Sequence, residues 1–104
     1  MVRLEIRGDI DGTVKAQNAE FFSADITAQK TGIFRLMLSL SATKVVDVTF
    51  DSGSNWTALN DGTSLTTDQL YAFDVMVKVG DTFNMRIPTA SGATVDVGRV
   101  FFLE

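Results

Sequence analysis

The segment from Tyr71 to Val100 alternates apolar and polar residues, with only short glycine-containing interruptions, and this pattern constrains the fold more than any other feature of the chain. Successive side chains of a β-strand point to opposite faces, so such alternation is typical of strands with one dry and one wet face. Gly and Asp residues typical of turns separate the alternating runs. The sequence therefore predicts an all-β, antiparallel β-sandwich of about seven to eight short strands.

The remainder of the chain shows this alternation in some segments and more weakly in others, and it has no helical periodicity. The segment "VRLEIRG" alternates Val2, Leu4 and Ile6 with charged residues and predicts a half-buried strand with these three on its dry face. The chain has 104 residues, one Pro and no linker-like run. We therefore expect residues 1–104 to form a single domain, a jelly-roll-like sandwich.

Three tight corners are predicted to join neighbouring strands of one sheet. A three-residue loop keeps the apolar residues of both flanking strands on the same face, whereas a two-residue loop would turn one set into water. The predicted loops and the pairs that they create are Ser41–Thr43 with Leu38 opposite Val46, Val79–Asp81 with Val77 opposite Phe83, and Ala90–Gly92 with Ile87 opposite Val95.

The same registers predict a row of charges on the polar face of the sheet. They place Arg86 opposite Asp74 on one side and opposite Asp96 on the other. Each cross-strand charge pair stabilises a sheet by about 0.2–1 kcal/mol, and a slipped register would lose it. We interpret the row as a clamp on the register of a solvated face, not as a functional charged site.

The last strand departs from alternation, since "GRVFFLE" contains four apolar residues in succession. A strand that is apolar on both faces is expected to be covered on both, by a second sheet and by another subunit; the alternative is a bulge at Gly98. An edge strand of this kind would aggregate unless another chain covered it. The predicted oligomer interface consists of Val100, Phe101, Phe102 and Leu103.

Composition excludes several classes of function. The chain has no Cys and no His, so it has no disulfide, no Cys/His zinc site and no Ser–His or Cys–His nucleophile pair. Its net charge is −4 and its nine basic residues are scattered, which argues against nucleic-acid binding. No phosphate-binding glycine loop opens a helix, and most Asp residues fall on outward strand faces or in turns. We expect no enzymatic activity and no cofactor.

The beginning of the chain carries no sign of membrane targeting. The segment "MVRLEIRGD" lacks the continuous apolar stretch of a signal peptide. No apolar run approaches the roughly 20 residues of a membrane-spanning helix. We therefore expect a protein of the virion or the cytoplasm, without a membrane partner.

Two local motifs point to ligands. The only Trp, Trp56, lies in a polar stretch with Asn55, Asn60 and Asp61, where an exposed ring could stack on a sugar or enter a partner's pocket. A carbohydrate- or ligand-binding module centred on Trp56 is the alternative function. The motif "DIDG" (Asp9, Asp11, Gly12) contains part of a calcium loop but lacks its further ligands, so a turn is the preferred interpretation.

The pattern of strands and turns along the chain resembles a known group of proteins. The segments "FFSADITAQKTGIFRLMLSLS", "LTTDQLYAFDVMVKVGDTFNMRI" and "TVDVGRVFFLE" resemble small structural proteins of tailed-phage and archaeal-virus particles. They are also similar to the trimeric C1q/TNF-like jelly rolls. This resemblance, over roughly residues 20–104, implies a non-enzymatic decoration, fibre or tail component. Its partners would be copies of itself, with a trimer favoured, and other particle proteins.

Overall fold

The computed structural model describes residues 3–90 and 93–104, which form β-strands, turns and one 3-10 turn at Asn60–Gly62. Val2 and Gly92, which the sequence assigned to a strand and a corner, lie outside these residues. The predicted all-β, antiparallel sandwich is confirmed. Its strands are β1 (Leu4–Asp9), β2 (Thr13–Lys15), β3 (Ile26–Thr27), β4 (Gly32–Leu40), β5 (Asp47–Thr49), β6 (Thr57–Ala58), β7 (Tyr71–Val77), β8 (Thr82–Arg86) and β9 (Ala93–Leu103).

The strands form two sheets in jelly-roll order. The large sheet has the order β1-β9-β4-β7, with β2 also paired to β9, and the small sheet has the order β3-β8-β5-β6. Because β1 and β2 pair with successive parts of β9, they act as two halves of one broken strand. With these two counted as one, the chain passes from one sheet to the other at every connection except that between β5 and β6. This is the double-sheet arrangement of jelly rolls.

All three predicted hairpins are wrong, because β4 and β5, β7 and β8, and β8 and β9 belong to different sheets. The predicted pairings Leu38–Val46, Val77–Phe83 and Ile87–Val95 therefore do not form. Leu38 instead pairs with Tyr71 and Gly98 inside the large sheet. Alternation shows which side chains face the core. It does not show which strands are neighbours, because two strands have apolar side chains facing the same core whether they pair in one sheet or lie in opposite sheets.

The predicted charge row is also wrong, for the same reason. Asp74 lies in the large sheet opposite Arg35, and Arg86 lies in the small sheet opposite Asp47. Asp96 is exposed on β9. Charge pairs thus do link neighbouring strands, but the acidic and basic members come from strands that the sequence had not placed together.

The predicted dry faces are nevertheless correct for most of the core. Phe34 and Phe83, which approach from opposite sheets, pack edge to face with ring centroids 5.6 Å apart. Their contact joins the two layers into one apolar cluster. Its buried strand residues are Ile26, Phe34, Leu36, Leu38, Leu40, Val48, Val77, Phe83, Met85, Ala93, Val95 and Val100.

Gly98 is required by a close approach within the core. A Cβ atom at this position would lie 2.6 Å from Cγ1 of Val95 and 2.8 Å from Cγ1 of Ile10, well inside contact distance. The register of β9 against β4 shifts nearby, because Ser39 pairs with Val97 and Leu40 with Val95, which leaves Asp96 as the extra residue. The bulge therefore lies at Asp96, not at Gly98, and Gly98 provides space.

Candidate functional site

The first strand is inverted relative to its prediction. Leu4 and Ile6 are 45% and 54% exposed on the outer face of the large sheet, whereas Glu5 and Arg7 are half-buried. The pairing of Ile6 with Phe101 sets this orientation, since Phe101 also points away from the core. The sequence showed the alternation of β1 but not which of its two faces the second sheet would cover.

These outward residues belong to a larger apolar patch. The registers align one apolar residue from each of four neighbouring strands in a row across the sheet, and two more lie beside it in the next row. Met76, at one end of the row, is 82% exposed. We call the apolar patch the outward side chains of Leu4, Leu103, Ile33, Met76, Ile6 and Phe101.

Two pairs of charged groups near the apolar patch are bound to each other within the chain. Arg35 donates two hydrogen bonds to Asp74, from Nε to Oδ1 at 2.8 Å and from Nη2 to Oδ2 at 2.9 Å. This fork lowers the pKa of Asp74 and raises that of Arg35. Arg99 donates from Nε to Oδ2 of Asp11 at 2.8 Å. The face therefore presents apolar surface beside two internally neutralised ion pairs.

The four predicted interface residues divide between the two faces of β9. Val100 is fully buried, and Phe102 packs edge to face on Phe34 with centroids 6.1 Å apart. Phe101 and Leu103 are half-buried and point outward. The premise that the last strand is an edge strand is wrong, since β9 lies between β1 and β4. The interface itself stays a prediction, to which the structure adds an apolar outer face.

Trp56 is packed by its own protein. The guanidinium carbon of Arg86 lies 4.1 Å from the centroid of the Trp56 ring, in cation–π geometry. Nε of the same Arg86 lies 3.4 Å from Oδ2 of Asp47. The Trp56 ring is half-buried, with Arg86 on one face and solvent nearby. It holds the loop before β6 against the small sheet.

The polar residues predicted around Trp56 do not converge on it. Asn55 donates from Nδ2 to Oδ2 of Asp51 at 2.7 Å and from its backbone N–H to Oδ1 at 2.8 Å, which lowers the pKa of Asp51. Asn60 and Asp61 lie beyond β6 in the 3-10 turn, where Nδ2 of Asn60 donates to the carbonyl of Thr63 at 3.4 Å. Both have left-handed backbone angles in a turn. Ligand binding at these four residues stays a prediction.

A shallow cleft of about 100 Å³ opens at one end of the sandwich. The rings of Phe34 and Phe102 lie among its walls, and Glu5, Arg7 and Glu104 are among the charged residues that line it. Arg7 lies 3.1 Å from Glu5, and Lys30 lies 3.8 Å from Glu104, so these cleft charges pair with one another. The cleft is therefore a poor match for a ligand that needs uncompensated polar groups.

Asn84 is a structural residue that sequence reasoning missed. It lies between the core residues Phe83 and Met85, at a strand position whose side chain faces away from the core. It is nevertheless fully buried, because the segment around Phe22 covers it. Its Oδ1 accepts from the N–H of Phe22 at 3.0 Å, and its Nδ2 donates to the carbonyl of Phe22 at 2.8 Å. The only sequence signal was the apolar pair Phe21–Phe22 in a polar segment, since these two side chains must be buried against another part of the protein.

Neither a metal site among the described residues nor a similarity to known proteins assigns a function to this chain. Across the described ranges, no group of three or more acidic side chains gathers where it could hold a metal ion. In the "DIDG" turn, the Asp11 carboxylate instead binds the N–H of Gly98 and the side chain of Arg99.

Within residues 3–90 and 93–104, no helix has the length and apolarity needed to span a membrane. No model of a known family matches the chain, and a search of curated proteins finds none that matches it.

Proposed function

We propose that this chain is a non-enzymatic structural protein that assembles with copies of itself, as a decoration, fibre or tail component of a virus or phage particle. The jelly-roll order is compatible with this role, because viral capsid domains use it, but lectins and cupins use it too. Since a fold alone does not define a function, the proposal depends on the surface. The apolar patch is the observation that carries it.

The apolar patch has the chemistry of a protein contact. Six apolar side chains lie next to one another on a sheet face that the second layer does not cover. Apolar residues scattered singly on a surface need no explanation, whereas contiguous patches mark interaction sites. The inversion of β1 strengthens this argument, since it turns Leu4 and Ile6 outward and leaves Glu5 and Arg7 half-buried.

A second copy of the chain is the occupant that best fits this face. The nearby ions Arg35–Asp74 and Arg99–Asp11 are mutually paired, so two such faces can approach without leaving these four charges unpaired. The face also has adequate size. Four strands spaced about 4.8 Å apart and averaging some eight residues in length give roughly 500 Å² in projection. A standard interface buries ~800 Å² of accessible surface per partner, so a contact of that size would use the whole outer face, with the apolar patch as one part of it.

The number of copies depends on what each apolar patch meets. A patch that meets itself produces a closed two-fold dimer, whereas a patch that meets a different surface of the next copy produces a ring. The resemblance to C1q/TNF-like proteins favours a ring of three. Both arrangements bury Phe101 and Leu103, two of the residues that the sequence placed in the interface.

Sedimentation velocity tests the proposal on purified protein at micromolar concentrations. We expect the native chain to sediment as an oligomer and Ile6→Lys to weaken its association at least about ten-fold, or 1.4 kcal/mol, because a lysine charge would be desolvated in the contact. The matched control is Val14→Lys. Val14 is 73% exposed on β2, about 30 Å along the sheet from the apolar row.

Val14→Lys should leave association unchanged. A native chain that stays monomeric throughout the micromolar range would remove the proposal. So would equal association of Ile6→Lys and Val14→Lys, because the apolar patch would then not be the contact.

A further inference from the structure

The two edges of the large sheet are protected to very different degrees. Along β1, the register shifts between Ile6 and Gly8, and the charged residues Glu5 and Arg7 turn toward the interior. A turn then separates β1 from β2. Bulges, inward charges and short segments are the features by which natural proteins prevent an edge from pairing with another chain.

The opposite edge, β7, has none of these features. It is a regular strand of seven residues without Pro, Gly or Lys, and its register against β4 has no shift. No hydrogen bond found among the described residues reaches the free edge of β7 between Ala72 and Val77. The two edges of the small sheet, β3 and β6, are only two residues long. β7 is thus the one long, regular, unpaired edge in the described part of the chain.

We propose that β7 pairs along this free edge with β7 of a second copy, antiparallel about a two-fold axis at Val75. The two large sheets then form one continuous sheet. This register places Val75 opposite Val75 of the second copy, Phe73 opposite Val77, and Asp74 opposite Met76.

The inward side chains favour a second β7 as the partner. Phe73 and Val75 pack against the core but remain half-exposed at the sheet edge, where a second β7 would cover them. The register opposes only apolar residues on this side. Aromatic and β-branched residues that lie opposite each other stabilise a strand pair.

The outward side chains provide charge complementarity. In this register, Asp74 lies opposite Met76 of the second copy, with the exposed Lys78 of that copy on one diagonal and its Asp74 on the other. Diagonal neighbours about 7–8 Å apart are within reach of a long side chain. An axis at Asp74 itself would instead oppose two carboxylates. A strand of the same chain therefore matches the edge in polarity, and this register keeps the two Asp74 carboxylates from lying directly opposite each other.

This contact is separate from the one at the apolar patch. Edge pairing uses backbone groups of β7, whereas the patch uses outward side chains of four strands, and Met76 is the one patch residue that lies on β7. A chain with both contacts can extend beyond a closed pair, as a particle component must.

The absence of cysteine makes a cross-linking test clean. Single variants Phe73→Cys, Asp74→Cys and Val75→Cys are oxidised under mild conditions beside Val14→Cys, a control on exposed β2. Opposed residues of an antiparallel pair have Cα atoms about 4.5–5.5 Å apart, within disulfide range. We expect Val75→Cys to form the disulfide-linked dimer fastest, at least ~10-fold faster than the control, because its thiols are held together at high effective concentration.

Two results would overturn the proposal: a maximum at Phe73 or Asp74, or a Val75→Cys rate equal to that of the control. Ile6→Lys combined with Val75→Cys separates the two contacts. Cross-linking that persists in this double variant is expected and shows that edge pairing does not depend on the apolar patch. Loss of cross-linking would show that β7 does not associate by itself.

Hydrogen exchange of the native protein provides a second measurement if Val75→Cys does not fold. The amides of β7 that face away from β4 should exchange fast in dilute protein and slowly in concentrated protein. Fast exchange of these amides at both concentrations, with the protein oligomeric at the higher one, would also refute the strand pairing.

Discussion

Asn84→Ala is predicted to be among the most destabilising single substitutions in this chain. Asn84 is fully buried, and its amide hydrogen-bonds both backbone groups of Phe22, which is 7% exposed. Alanine leaves that N–H and that carbonyl buried without partners. Each orphaned buried group costs about 1–3 kcal/mol, so the expected loss is about 2–6 kcal/mol. Domains of this size have a total stability of only about 5–15 kcal/mol.

Asn84→Asp sharpens the prediction, because it changes the hydrogen-bonding character of the side chain at nearly constant volume. Nδ2 of Asn84 lies 2.9 Å from Oε2 of Glu20 and 2.9 Å from Oδ1 of Asp25, in addition to its contact with the Phe22 carbonyl. A carboxylate there would face three acceptors with no proton to donate. At neutral pH we expect Asn84→Asp to be less stable than Asn84→Ala, with partial recovery on acidification as the new carboxyl gains a proton.

Urea unfolding, followed by circular dichroism at one fixed protein concentration, measures these differences. Asn55→Ala is the matched control, since Asn55 also binds a carboxylate through its amide but lies exposed in a turn. We expect the control to lose less than about 1 kcal/mol. If Asn84→Ala were no more destabilising than Asn55→Ala, the argument that the Asn84 amide holds the segment around Phe22 on β8 would fail.

Two further predictions concern Asp11 and Trp56. Arg99 and the Gly98 N–H lower the pKa of Asp11 from 3.8, so the ionised carboxyl adds stability above that pH and loses it as pH falls through the folded-state pKa. Asp11→Asn should therefore be less stable than the native chain at pH 7 but approach it below about pH 4, and urea unfolding across this range would contradict us if the gap stayed constant. Trp56→Ala should destabilise the fold by about 1–3 kcal/mol, because it removes the ring under Arg86. A glycan screen should find no sugar that quenches native Trp56 fluorescence; a sugar that does so, and whose binding measured by calorimetry is lost in Trp56→Ala, would favour the carbohydrate-binding alternative instead.

The apolar outer face was only partly predictable. The continuous run from Val100 to Leu103 indicated that β9 is apolar on both sides, and the structure places Phe101 and Leu103 outward. The contributions of Leu4 and Ile6 were assigned to the wrong face. An alternating strand has two faces, and only its neighbours determine which one is covered.

Local periodicity alone determined that the protein is all-β, and it identified most side chains of the core, among them Phe34, Phe83 and Met85. Only the tertiary structure decided which strands are neighbours, and with them the pairs Arg35–Asp74 and Arg86–Asp47. The physical reason is that side-chain alternation is a property of one strand by itself. The free energy gained by burying an apolar side chain is the same whether the next strand lies beside it in one sheet or across the core in the other sheet. Sheet membership therefore depends on contacts between distant parts of the chain.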